Sequence, residues 1–153
     1  QGSCSILRCS ATRNLPSGYG LYVGPSCTIT DCSASNNASS GIWTSDDSIT
    51  VTATTASFNG HYGIFAPQSS ISSCTASSNQ DMGIYANSGS VTSCTANSNS
   101  SHGIYVPDGC VTPSRALGNA GSDIWVHSGV AAFCRAANTT TTNATLTGNR
   151  FAP

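Results

Sequence analysis

The chain contains no lysine, no glutamate and a single methionine. Five arginines and six aspartates carry all the formal charge of its 153 residues, for a net charge of -1. A surface that holds nucleic acid needs a basic stripe to displace counterions from phosphates, and five arginines scattered along the sequence do not make one. No apolar run reaches the ~18 residues that cross a bilayer, and no amphipathic basic helix is present, so neither nucleic acid nor membrane insertion is expected. There is no Cys-x-x-Cys pair, and His61, His102 and His127 fall at different places in the repeat described next. That pattern argues against zinc, and neither metal nor cofactor is expected.

A repeat fills the space those absences leave. Its clearest copies are ISSCTASSNQDMGIY, from Ile71, and VTSCTANSNSSHGIY, from Val91. Aligned on them, Ile6, Ile29, Val51, Ile71, Val91, Val111 and Ala131 form one column, separated by 23, 22, 20, 20, 20 and 20 residues. A fixed period of this size marks a solenoid, each repeat being one rung stacked on the last. A disordered chain would not keep its apolar residues in phase. Within the model rung, Ser70-Ile71-Ser72 alternates as a strand with Ile71 inward. Ala11, Ala34, Ala56, Ala76, Ala96 and Ala116 recur as small interior residues. Asn37, Asn59, Asn79, Asn99 and Asn119 form a column that stacked amides can bridge along the axis. Gly83-Ile84-Tyr85-Ala86 then reads as a second strand, with Ile84 and Ala86 inward and Tyr85 outward.

The eight cysteines keep the same phase. Cys4 and Cys27 precede their column aliphatics by two residues, Cys9 and Cys32 follow them by three, and Cys74 and Cys94 share that later place. Rungs roughly 4.8 Å apart lie within reach of a disulfide. The expected staples are Cys4–Cys27, Cys9–Cys32 and Cys74–Cys94, with Cys110–Cys134 by elimination; the alternative is a column of free, buried thiols. Many cysteines in a chain that starts at Gln1 rather than Met point to a secreted protein whose leader has been removed.

The motif I/V-x-x-C-x-A-x-x-N-x-x-x-G-I resembles the repeat of right-handed parallel β-helices of the pectate-lyase-like superfamily, over residues 6–130. The resemblance implies an all-β, single-domain β-solenoid of about six to seven rungs, with residues 1–133 forming the helix. It implies no particular activity, because that superfamily includes lyases, hydrolases, tailspikes and surface proteins. After Cys134 the segment AANTTTTNATLTGNRFAP leaves the phase; residues 134–153 are expected to form a cap or a tail that contacts a neighbouring subunit.

Function is sought in what the repeat turns outward. Tyr22, Trp43, Phe65, Tyr85, Tyr105 and Trp125 each follow the second-strand aliphatic, and so form an outward aromatic stripe of six among eleven aromatics. The opposite register would bury them as core. A second display is two ranks of hydroxyls around the first strand: Thr28, Thr50, Ser70 and Ser90 on one side, Thr30, Thr52, Ser72, Thr92 and Thr112 on the other. These ranks resemble the Thr-x-Thr arrays of β-solenoid antifreeze proteins, though serine or cysteine interrupts them; a plain solvated strand surface is the simpler account.

Catalytic pieces are sparse. Asp46-Asp47 and Gly60-His61 resemble fragments of a polygalacturonase site, but the accompanying Asn-x-Asp and Arg-x-Lys are missing. Aspartates 31, 46, 47, 81, 108 and 123 fall in different columns, unlike a calcium-holding stack. Of the glycosylation sequons, Asn138 and Asn143 are the better acceptors, since Asn37 and Asn99 belong to the internal column. The leading expectation is a secreted, non-catalytic structural solenoid that binds copies of itself. Ice binding through the hydroxyl ranks, and glycan binding or cleavage, are the alternatives.

Overall fold

The computed structural model describes residues 3–45 and 48–151. Among them the chain forms only strands: β1 (Cys4–Leu7), β2 (Leu21–Val23), β3 (Cys27–Thr30), β4 (Ile42–Thr44), β5 (Thr50–Thr52), β6 (Ile64–Phe65), β7 (Ser70–Ser72), β8 (Ile84–Tyr85), β9 (Ser90–Thr92), β10 (Ile104–Thr112), β11 (Arg115–Ala116), β12 (Ile124–Ala132), β13 (Arg135–Ala136), β14 (Thr139–Thr147) and β15 (Arg150–Phe151). All strand pairs are parallel. The odd strands β1 to β9 form one ladder and the even strands β2 to β8 a second; β10, β12 and β14 continue both, giving about seven turns.

Register follows the aliphatic column: Ile6 pairs with Ile29, Ile29 with Val51, Val51 with Ile71, and Ile71 with Val91. A slip by one residue would turn every one of these side chains to solvent, so the buried face fixes the pairing. Ile29, Val51, Val91 and Val111 are fully buried, as are Ile42, Ile64, Ile84, Ile104 and Ile124 of the second ladder. Burying each such side chain contributes about 1.5–3 kcal/mol. The strands are short because the chain turns at two corners per rung. Asp31, Ala53, Ser73 and Ser93 make one corner with φ of 50–54°, while Asn36, Phe58, Ser78 and Ser98 make another at 56–60°. Left-handed backbone costs a non-glycine residue roughly 1–2 kcal/mol, which the stacked core offsets.

The second of these corners carries the asparagines, since Asn59, Asn79 and Asn99 directly follow Phe58, Ser78 and Ser98. Asn59 donates both its backbone N–H and its side-chain amide to Asn79 Oδ1, each at 3.0 Å, and Asn79 does the same to Asn99. The ladder begins one turn earlier than the sequence suggested, at Asn14, which donates twice to Asn37. Glycine four residues later makes room for it. A Cβ on Gly83 would lie 2.6 Å from Asn99 Nδ2 and 2.7 Å from the Ala76 carbonyl oxygen, and Gly63 faces Asn79 in the same way. The glycine and asparagine columns are therefore one device.

The ladder ends on Asp123, which stands where the preceding turns have glycine. Its Oδ1 accepts the backbone N–H and the amide of Asn119 at 3.0 and 2.7 Å; its Oδ2 accepts the N–H groups of Ala137 and Asn138 at 2.9 and 3.1 Å. Four donors satisfy a carboxylate that is only 2% exposed. This explains a departure from expectation. The segment after Cys134 loses the period but not the pairing: Ile124 pairs with Thr139 and Ala131 with Leu146, steps of 15 residues. The omitted residues are the asparagine corner, whose place the Asp123 side chain takes. β14 is thus a shortened turn that continues the stack.

The cysteines divide by column. All eight are free thiols in this structure. Cys4 and Cys27 are register partners, and the N–H groups of Cys9 and Cys74 point at Cys32 Sγ and Cys94 Sγ, both at 3.4 Å. The fourth pairing, Cys110–Cys134, is corrected: Cys110 is exposed and pairs with Ser90 and Val130, whereas Cys134 is buried beneath Val111. Elimination failed because the two belong to different faces of the rung.

Candidate functional site: a stacked aromatic ridge

An outward residue recurring in parallel register must sit one strand spacing, roughly 4.8 Å, from its equivalents. For aromatic residues that spacing is a stacking distance. Trp43 and Phe65 stack with centroids 4.0 Å apart and planes 9° from parallel. Phe65–Tyr85, Tyr85–Tyr105 and Tyr105–Trp125 follow at 4.8, 5.6 and 4.4 Å, all within 14° of parallel. His127 adds a further parallel ring 5.9 Å from Trp125. The five rings from Trp43 to Trp125 are half-buried, and Tyr22 is 61% exposed. The aliphatics that precede Trp43 to Trp125 are fully buried, so the register that would bury the rings does not occur.

A second rank, unread in the sequence, flanks the first. Tyr19, Tyr62 and His102 occupy the place just before the glycine of the Gly-aliphatic step. Tyr62 lies 6.1 Å from Trp43, 5.2 Å from Phe65 and 6.3 Å from Tyr85. Tyr19 lies 5.6 Å from both Tyr22 and Trp43, and His102 lies 5.3 Å from Tyr105. The signal was available as a phase, but only three of its six positions hold rings, interrupted by Ser40, Met82 and Ser122. Burial and the nearby Asp81 carboxylate raise the Tyr62 phenol above its ordinary value; burial does the same to Tyr105.

Beside Tyr62 stands a Ser, His and Asp arrangement. His61 Nε2 lies 3.4 Å from Asp81 Oδ2, and its Nδ1 lies 3.5 Å from Ser40 Oγ. The order is that of an activated nucleophile, but the Ser40 contact is at the limit of a hydrogen bond and Ser40 is fully buried. No pocket opens beside it among the described residues. Asp46 and Asp47 lie outside the described residues.

The hydroxyl ranks are in register, Thr28 with Thr50 and Thr30 with Thr52 onward to Ser90 and Thr92. They bond along the axis at Thr52–Ser72 (3.2 Å), Ser70–Ser90 (3.4 Å) and Thr92–Thr112 (3.0 Å). The outer rank passes to Cys110 and Val130, and the inner one ends at Ala132. Asn37 and Asn99 are buried in the ladder, while Asn138 is exposed. Asn143 pairs with Ser128 through β14; its side chain is outside those described.

The parallel turns, their handed family and their length can now be set against known proteins. The model of the right-handed beta helix region matches residues 1–152. The chain belongs to that family. As a fold, this beta helix is similar to the crystal structure of pectate lyase Pel9A, with a TM-score of 0.64 and 17% identity over 92% of this chain. It spans 52% of that lyase's length. Among curated proteins, none matches the beta helix.

Proposed function

We propose that this beta helix is an exported, non-catalytic structural module that assembles with copies of itself through the aromatic ridge. The observation behind the reading is the stack from Trp43 to Trp125, whose ring faces pack on each other and whose edges run along one side of the rod. A contiguous half-exposed apolar strip is the kind of surface that association covers. Four turn spacings give a strip only about 20 Å long, short for a tight dimer, so contact repeated over many copies in a fibre or array suits it better.

The same geometry weakens the glycan reading of the ridge. Sugars pack on the faces of aromatic rings, and those faces are occupied. Ice binding is favoured less too, because the hydroxyl ranks are interrupted at Cys110, Val130 and Ala132. In an oxidising compartment Cys4–Cys27, Cys9–Cys32 and Cys74–Cys94 would each close by losing two electrons and two protons to the local oxidant.

Sedimentation velocity across a range of concentrations tests the proposal. The expected result is concentration-dependent assembly, abolished in the double variant Trp43→Ser, Tyr85→Ser. A protein that stays monomeric at every concentration, or a double variant that assembles as before, overturns it.

A further inference from the structure

The arginines that look scattered in the sequence are gathered by the fold. Arg115 pairs with Arg135 in β11 and β13, and Arg135 with Arg150 in β13 and β15. Three of the five cationic residues thus stand in one row on consecutive turns, roughly 4.8 Å apart along the axis. The neighbouring Ala116 and Ala136 are buried while all three arginines are exposed, so alternation turns the guanidinium groups to solvent. None of the three is in an ion pair among the described residues, where His61–Asp81 is the one pair present. Like charges directly opposite one another in a sheet repel. The row therefore concentrates positive charge, with no carboxylate paired to it among the described residues, on a protein of net charge -1.

We propose that the Arg115–Arg135–Arg150 row binds a linear sulfated polysaccharide lying along the solenoid axis. A guanidinium offers paired donors in a rigid fork that suits the oxygens of an oxyanion, and it stays charged at any working pH, as a sulfate ester does. The rest of the column selects a sugar polymer. Towards the N-terminal end the row continues as Thr95, Thr75, Thr55 and Ser33, bridged turn by turn in the same register. A chain lying on it meets three cations in line and then a file of hydroxyls, which suits a polymer carrying both sulfates and hydroxyls. Single-stranded nucleic acid would instead call for a succession of stacking rings. The exposed rings near the row are isolated rather than successive: Phe133, two residues before Arg135, and Phe58, three after Thr55, are 67% and 64% exposed.

The test uses the full chain and fluorescein-labelled heparin, followed by fluorescence anisotropy at several salt concentrations. Binding is expected to weaken as salt rises. Arg135→Ala should bind about tenfold more weakly, the loss of one charge-assisted contact, and its salt dependence should fall by about one counterion. Arg135→Lys should fall between the two, because an ammonium cannot pair in a fork. Arg8→Ala, in a different column, should bind as the parent does. Arg150→Ala repeats the measurement should Arg135→Ala fail to melt like the parent. The proposal is overturned by an unchanged affinity in the row variants, by an equal loss in Arg8→Ala, or by equally tight binding of polygalacturonate or poly-dT.

Discussion

Two stacks run the length of this rod with one period, and they differ in almost everything else. The asparagine ladder is inside, its amides bonded at 2.9–3.1 Å and its glycines pressed against them. The aromatic ridge is outside, its rings 4.0–5.6 Å apart with solvent along one edge. Repetition alone therefore says nothing about how much a column matters to folding. What decides it is whether a neighbour can yield. A backbone carbonyl 2.7 Å from a would-be methyl cannot, whereas a ring at the surface can swing into water.

The sharpest way to test that contrast is Gly83→Ala. Its new Cβ would strike both an amide and a carbonyl, and the cost should be at least about 3 kcal/mol, above the usual price of overpacking. A urea midpoint unchanged within error would show that the corner is softer than its geometry. Asp123→Asn comes next, at about 2 kcal/mol, because one amide nitrogen must then face N–H donors in a buried site. Chemical denaturation measures it, and a neutral effect would mean the ladder does not need its carboxylate. Tyr85→Ala should cost less, about 1–2 kcal/mol for two ring contacts, while changing assembly more than stability. A loss as large as that of Gly83→Ala would erase the distinction between the stacks.

The smallest effect is expected in alkali. The folded state holds the Tyr62 proton more tightly than the unfolded chain does. Its contribution is therefore complete below the ordinary tyrosine value near 10 and is lost as pH rises through the higher folded value. Denaturation midpoints compared at pH 8 and about 10.5 should converge partly in Tyr62→Phe. Parallel pH profiles for the two proteins would count against a shifted phenol.

The interior was legible because each of its positions tolerates few residue types. Ile71 and Val91, Ala76 and Ala96, Asn79 and Asn99 recur where only such side chains fit. The six-membered aromatic stripe was legible for the same reason of phase. The Arg115, Arg135 and Arg150 row was not, because its spacing changes from 20 to 15 at the turn where Asp123 replaces a corner. A fixed period carries an alignment only as far as the first deleted corner, and the charge-poor outer faces set no constraint that would reveal the slip. Cys110 was misread by the same logic: counting cysteines ignores which side of the rung each one faces.

The asparagine ladder also has a direction. On each turn two N–H groups reach towards the C-terminal side and meet a single oxygen that faces back, from Asn14 through Asn119. Bond dipoles aligned in this way add, as peptide dipoles do in an α-helix, and leave their positive end at the last donor. That end is where the chain has placed Asp123, the one buried anion among the described residues. The rod thus has electrical polarity as well as a chain direction, and a neutral residue at 123 would leave the far end of a six-asparagine dipole array without its counter-charge.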